Sequence, residues 1–166
     1  SSAAMSKSTR ALNKVLVNEL PQLIDATVGT VEMMTNAKAE KRAAQVQPIV
    51  LGESEDMIAS SIGFYGDIDG MLILVFPTKI AKKACELLIG EATEDIEEVL
   101  DSIAEFVNII GGRIKSLLAE KKISVDITLP RTYADVNDLL DIVADKKGVQ
   151  VDLAFEDDQF VFFLTR

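Results

Sequence analysis

The chain reads as an α+β protein: a two-layer sandwich with an antiparallel six-stranded sheet, long helices on one face, and two pseudo-duplicated halves. Three observations predict this. Residues 8–38 and 93–121 carry apolar side chains at helical spacing over long stretches. Several short apolar segments, bounded by turn residues, read as strands in two groups of three. The order, one helix, three strands, two helices and three more strands, repeats a pattern although no residue-level repeat is visible.

The first helix is carried by Leu12, Val15, Leu16, Leu20, Leu23, Ile24, Val28 and Val31, with Pro21 as a point where it breaks or kinks. Residues 37–44 are polar and alanine-rich, a helix end or linker. Strands are expected at 45–51, 57–65 and 70–76, the last two joined through Gly66-Asp67-Ile68-Asp69-Gly70. Pro77-Thr78 opens a helix to about Leu88, with Ala81, Ala84, Cys85 and Leu88 inward, and Gly90 stops it. Thr93 is the expected N-cap of the next helix, whose early acids Glu94, Asp95, Glu97 and Glu98 suit the positive end of its dipole. Residues 123–129 alternate as a strand up to Pro130. Residues 136–144 fit either a short helix or an edge segment. Residues 149–155 and 160–164 close the chain as a hairpin around Glu156-Asp157-Asp158.

Residues 1–4, ahead of Met5, read as a cloning remnant, and residues 5–166 as one domain. No apolar run approaches about 18 residues, so no membrane span is expected. The single cysteine, Cys85, has no partner for an internal disulfide, which together with the absence of a signal-like segment favours a cytoplasmic location. The net charge of −10 disfavours nucleic acid, because polyphosphate binding rests on lysine and arginine. The chain has no histidine, which removes the Ser-His-Asp triad, the Cys-His pair and the commonest transition-metal ligand. No CxxC or glycine-rich phosphate loop is present. Chemistry here must run on carboxylates, amides and hydroxyls.

Ile96, Leu100, Ile103, Val107, Ile110, Ile114 and Leu118 form one stripe of the 93–121 helix and must face a core. Asp101, Glu105, Asn108 and Gly112 form a continuous ridge on the opposite face, with Glu105 and Asn108 neighbours at i, i+3. A glycine inside a helix costs about 1 kcal/mol against alanine, and Gly111-Gly112 incurs that twice. Ile109 lies nearer the ridge than the stripe. Together these mark a docking surface. Other candidates have plainer readings: Cys85 as a buried structural cysteine, Asp67-Ile68-Asp69-Gly70 as a turn rather than a calcium loop, Glu156-Asp157-Asp158 as a hairpin turn, and Met33-Met34 as helix packing. No metal site is read from the sequence.

Asp101-x3-Glu105-x2-Asn108, with Gly112 and then Ile123-Ser-Val-Asp-Ile-Thr-Leu-Pro130 downstream, resembles the signature of the CheC/CheX/FliY phosphatases of bacterial chemotaxis. The long first helix and the Ile62–Phe76 and Phe155–Leu164 hairpins fall where that family has them. CheC-type members carry a second motif on the first helix; the nearest candidate here is Glu32-Met-Met-Thr35, with threonine where asparagine is required. A single motif in a short chain resembles CheX. Ile109-Ile110-Gly111 replaces the smaller residues common after the asparagine, and residues 131–147 match the family poorly.

The resemblance implies hydrolysis of the aspartyl phosphate of a CheY-like response regulator, in chemotaxis or a related phosphorelay. Asn108 would position the attacking water and Glu105 would pair with the receiver's active-site lysine. Asp101, Ile109, Gly111 and Gly112 would shape the contact. Mg²⁺ would belong to the receiver, with no cofactor held by this chain, and the protein would be a homodimer with neither nucleic acid nor membrane as a partner. The alternative is a non-catalytic adaptor or flagellar-switch-like module of the same fold. A hydrolase of small phosphate esters is a weaker third reading, because the chain offers no phosphate cradle of its own.

Overall fold

The computed structural model describes residues 2–48, 56–156 and 158–165. It is α+β, with seven antiparallel strands rather than six. Helix α1 (Ser2–Thr35) leads to β1 (Ala39–Pro48), β2 (Met57–Gly66) and β3 (Gly70–Pro77). Then come α2 (Thr78–Ile89), α3 (Ile96–Glu120), β4 (Val125–Ile127), β5 (Arg131–Tyr133), α4 (Val136–Val143), β6 (Lys147–Phe155) and β7 (Asp158–Thr165).

The sheet order is β1-β6-β7-β3-β2-β4, with β5 also pairing β2. Exchanging β1 with β4 and β5, β2 with β6, and β3 with β7 reproduces the same order reversed. The two halves are therefore related by a pseudo-twofold between β3 and β7, as the element order predicts.

Alternation along the strands sorts the core into two layers. Ile58, Ile62, Leu72, Leu74, Phe76, Val151, Leu153, Phe160 and Phe162 pack under α1, α2 and α3. The intervening residues Ala59, Ile73, Val75, Val161 and Phe163 face the other way, against Val136, Leu139 and Val143 of α4. The long helices thus share one face as expected, and the ambiguous segment 136–144 is a short helix that caps part of the opposite face.

Several local expectations shift. Helix α1 runs unbroken through Pro21, which is exposed, so the backbone carbonyl deprived of its partner can bond to water. It ends at Thr35 rather than near 38, where Asn36 takes φ 56°, a left-handed conformation that asparagine tolerates. The 37–44 stretch expected as linker belongs mostly to β1, whose pairing with β6 runs from Ala39 to Pro48; the end of the expected 45–51 strand lies outside the described residues, as does Asp157 in the closing turn. The side chains of Leu12, Val15 and Leu16 are likewise outside the described set. Asp95, not Thr93, caps α3, its carboxylate accepting from the Glu97 N–H at 3.0 Å. The Thr93 hydroxyl instead donates to Glu98 at 2.6 Å.

The expected 123–129 strand is only three residues long, Val125–Ile127, because beyond it the Thr128 hydroxyl takes the place of a ladder carbonyl. Thr128 bridges the gap: its N–H donates to the Gly63 carbonyl and its hydroxyl accepts from the Gly63 N–H, each at 2.9 Å. Pairing then resumes through β5 on Ala59–Ser61. Among the described residues, the buried face of α1 carries three threonines, and each donates its hydroxyl to the carbonyl four residues back: Thr27 to Leu23, Thr30 to Ala26 and Thr35 to Val31. That removes the cost of burying a bare hydroxyl.

Among the ion pairs that join elements, two shift the ionisation of a partner. Lys79 on α2 bonds Asp158 at 3.0 Å, and this bond, with the Gln159 N–H, holds the Asp158 carboxyl below its ordinary value. Lys121, just past α3, bonds the buried Glu19 of α1 at 2.9 Å, and the bond raises the lysine above its ordinary value. A raised lysine contributes stability that is complete below the unfolded value of about 10.4 and is lost as pH rises through the folded value. Glu19→Gln should therefore lower the melting temperature at neutral pH, with the gap to wild type closing above about pH 10. A gap independent of pH in calorimetry would show that the Lys121 charge contributes nothing.

Candidate functional site

Helix α3 is placed by its apolar face. Leu100, Ile103, Val107, Ile110, Ile114 and Leu118 of the predicted stripe are buried, and Val99, Phe106 and Gly111 widen it. Ile96, the first member, is 38% exposed at the helix start. Two contacts set the helix against β2. Ser60 donates its hydroxyl to the Ile103 carbonyl at 3.0 Å, and a Cβ added at Gly111 would lie 3.0 Å from Cγ2 of Ile62. On the α2 side, Ser102 donates to the Cys85 sulfur and to the Glu98 carbonyl, both at 3.1 Å, within buried surroundings.

With that face occupied, Asp101, Glu105 and Asn108 point to solvent. None of the three has a hydrogen bond or ion pair with another described residue. Glu105 and Asn108 are one turn apart, with Cβ atoms about 5–6 Å from each other. A carboxylate and a neutral amide therefore sit side by side, both free to engage a partner. Ile109 is half-buried beside them.

The two glycines separate in role. Gly111 is not part of the outward surface expected for it; it is buried and lets α3 approach β2. Gly112 lies on the ridge, and a Cβ there would meet nothing within 4 Å. The local structure gives it no packing reason to lack a side chain.

Gly112 and Ile109 also line an open groove of about 410 Å³ between α1 and α3, together with Gln22, Ala26, Arg113, Ser116 and Leu117. The sequence reading missed this groove, since its two walls come from helices far apart in the chain. Gln22 and Ala26 face residues 109–117 while Glu19 reaches Lys121, so the helices run antiparallel.

The face of α1 repeats that of α3. Asn18, Gln22, Asp25 and Gly29 have the spacing of Asp101, Glu105, Asn108 and Gly112, with three exposed side chains followed by a half-buried glycine open around its Cα. The buried Leu23, Ile24, Thr27, Val31 and Thr35 match Phe106, Val107, Ile110, Ile114 and Leu118. The chemistry is exchanged, however: an amide stands in the place of Glu105 and a carboxylate in the place of Asn108. Glu32-Met-Met-Thr35 offers no second site either, because Thr35 is buried with its hydroxyl bonded to Val31.

The remaining candidates take structural roles. Cys85 is buried. Asp67 accepts from the Ser124 N–H at 2.7 Å, and Ile68 is buried in the turn. Of the Met33-Met34 pair expected to pack, only Met34 does so; Met33 is 64% exposed, because one helix step turns it away from the core. Among the described residues no cluster of three metal-ligating side chains occurs, and no helix is long and apolar enough to cross a membrane.

Solved structures share this fold. CheX from Borrelia burgdorferi, in complex with CheY, BeF3 and Mg²⁺, has 19% identity and a TM-score of 0.72, covering 88% of this chain and 95% of that one. A CheC-like superfamily protein from Shewanella sp. PV-4 has 17% identity with the same TM-score and coverage. The FliM middle domain of Helicobacter pylori, at 11% identity and TM-score 0.66, covers 96% and 91%. No curated protein sequence matches the chain. Residues 58–154 match the family described as "Chemotaxis phosphatase CheX", which is more than half of the chain. The protein belongs to the CheX family.

The glycine pair gives a direct check on the placement of α3. Gly112→Ala should stabilise the protein by up to about 1 kcal/mol, the helix-propensity difference with no clash to offset it. Gly111→Leu should destabilise it by about 1–3 kcal/mol through overpacking against Ile62. Denaturant unfolding showing the same sign for both would place the helix rotation differently.

Proposed function

We propose that this protein is a phosphatase acting on the aspartyl phosphate of a CheY-like receiver domain. The observation that carries the reading is the pairing of Glu105 and Asn108, exposed, adjacent and without internal partners, on a helix locked to the sheet. Membership in a family described as a chemotaxis phosphatase supports it.

An acyl phosphate is already activated, so the catalyst mainly has to hold a water in line with the phosphorus. The side-chain amide of Asn108 suits this task. It can accept from or donate to the water and, being neutral, does not repel the phosphoryl oxygens. Glu105 anchors the receiver by pairing with its active-site lysine, which allows an acidic protein to approach a phosphorylated site. The Mg²⁺ at the reaction centre belongs to the receiver. Asp101, Ile109 and Gly112 border the contact. The protein works in the cytoplasm as a homodimer, where a sheet-mediated contact leaves both motif helices free.

The α1 face does not serve as a second centre. Gln22 offers no charge to a lysine, and the carboxylate of Asp25 would repel the phosphoryl group. The alternative, a non-catalytic adaptor, draws on the FliM middle domain sharing the fold, since fold alone does not decide function. An adaptor has no use for a neutral amide beside the carboxylate, which favours the phosphatase.

Phosphate loss from a receiver charged with acetyl phosphate, and then freed of it, tests this. Wild type should accelerate the loss, Asn108→Ala should abolish the acceleration while still binding, and Glu105→Ala should weaken both binding and rate. No acceleration by wild type with any receiver of the same cell would leave the adaptor. Light scattering at micromolar concentration should give twice the chain mass; a monomer would remove the dimer.

A further inference from the structure

The charge pattern of α3 changes sign at Asn108. From Glu97 to Glu105 every charged side chain is acidic, and the next two, Arg113 and Lys115, are basic. Lys115 is engaged by Asp126 at 3.1 Å. Arg113 is exposed and has no hydrogen bond or ion pair with any described residue. It lines the groove between α1 and α3 together with the open Gly112 and the half-buried Ile109 and Leu117. The groove, at about 410 Å³ and open to solvent, has room for a side chain of a docked partner.

We propose that this groove is a second contact for the same receiver: it seats one apolar side chain of the receiver, beside a receiver carboxylate that pairs with Arg113. The inference rests on the receiver-phosphatase reading and extends it from the reaction centre to partner selection. Continuity supports it, since Ile109 and Gly112 belong both to the groove wall and to the strip next to Asn108. The chain's own charges supply the second argument: in a protein of net charge −10, an exposed guanidinium without an internal partner beside this groove calls for a partner's carboxylate, while Glu105 at the other end of the strip calls for a cation. An apolar anchor in a pocket, flanked by a charge pair that excludes water, is the arrangement that concentrates binding energy at interfaces. The charge pair fixes orientation and rejects wrong partners.

The test uses the full chain and a receiver held in its active form by beryllofluoride and Mg²⁺. Titration calorimetry should show Arg113→Glu and Gly112→Leu each weakening binding at least tenfold, with Arg113→Lys recovering most of the loss. Gly112→Leu fills the groove where an added Cβ meets nothing, so its unfolding curve checks that the fold persists. Lys146→Glu, the same change of charge in the exposed turn after α4, should stay within twofold of wild type. If wild type binds and accelerates phosphate loss while both groove variants bind within twofold of it, the groove is not a contact and the phosphatase reading stands. If Lys146→Glu weakens binding as much as Arg113→Glu, overall charge rather than this groove decides affinity, and the proposal falls. If wild type neither binds nor accelerates, both readings fall together.

Discussion

The close seating of α3 on β2 is the constraint on which the rest of this structure depends. Gly111 has no side chain where Ile62 presses against the helix, and the Ser60 hydroxyl reaches the Ile103 carbonyl. These contacts lie on one side of α3 and fix its rotation about its own axis. A helix rotated by one residue position turns by about 100°. Such a turn would carry the Glu105–Asn108 pair away from solvent. The outward geometry of the pair is thus a consequence of packing on the face opposite to it.

The same constraint explains why a helix can keep two glycines. One serves packing: even a Cβ at Gly111 would press on Ile62 at 3.0 Å, and a larger side chain would overpack the seam between α3 and the sheet. The other, Gly112, has no such reason, and the space it leaves continues into the groove shared with α1. Glycine raises the cost of the helix at both positions. The buried face, with Phe106, Val107, Ile110 and Ile114 at or near zero exposure, more than offsets it.

The pseudo-twofold shows how one architecture holds two similar surfaces with different chemistry. Helices α1 and α3 share a pattern of buried and exposed positions because each must cover one half of the same sheet. The core-facing positions are constrained by packing, and the outward ones are free to diverge. On α1 the outward amide and carboxylate stand in the reverse order, so shape is repeated while reactivity is not. Charge decides between them, since a carboxylate beside a phosphoryl group repels it and a neutral amide does not.

Much of this was legible in the chain itself. The α+β class, the hairpin of β2 and β3, and the ridge of Asp101, Glu105, Asn108 and Gly112 follow from periodicity. Period and spacing are properties of neighbouring residues and need no knowledge of what lies across the fold. The absence of histidine also narrowed the chemistry without any structure. Only the tertiary structure decided the rest. It assigned Gly111 to the sheet because Ile62 is distant in sequence, and it split the strand before Pro130 because Thr128 finds its partner in Gly63. It also sent α4 to the far face, where Ile73 and Phe163 needed cover. The groove beside Asn108 exists only where Gln22 and Ala26 of one helix meet Arg113 of another. Local order is written in the spacing of side chains, but the company each side chain keeps depends on which distant segments come to share a core.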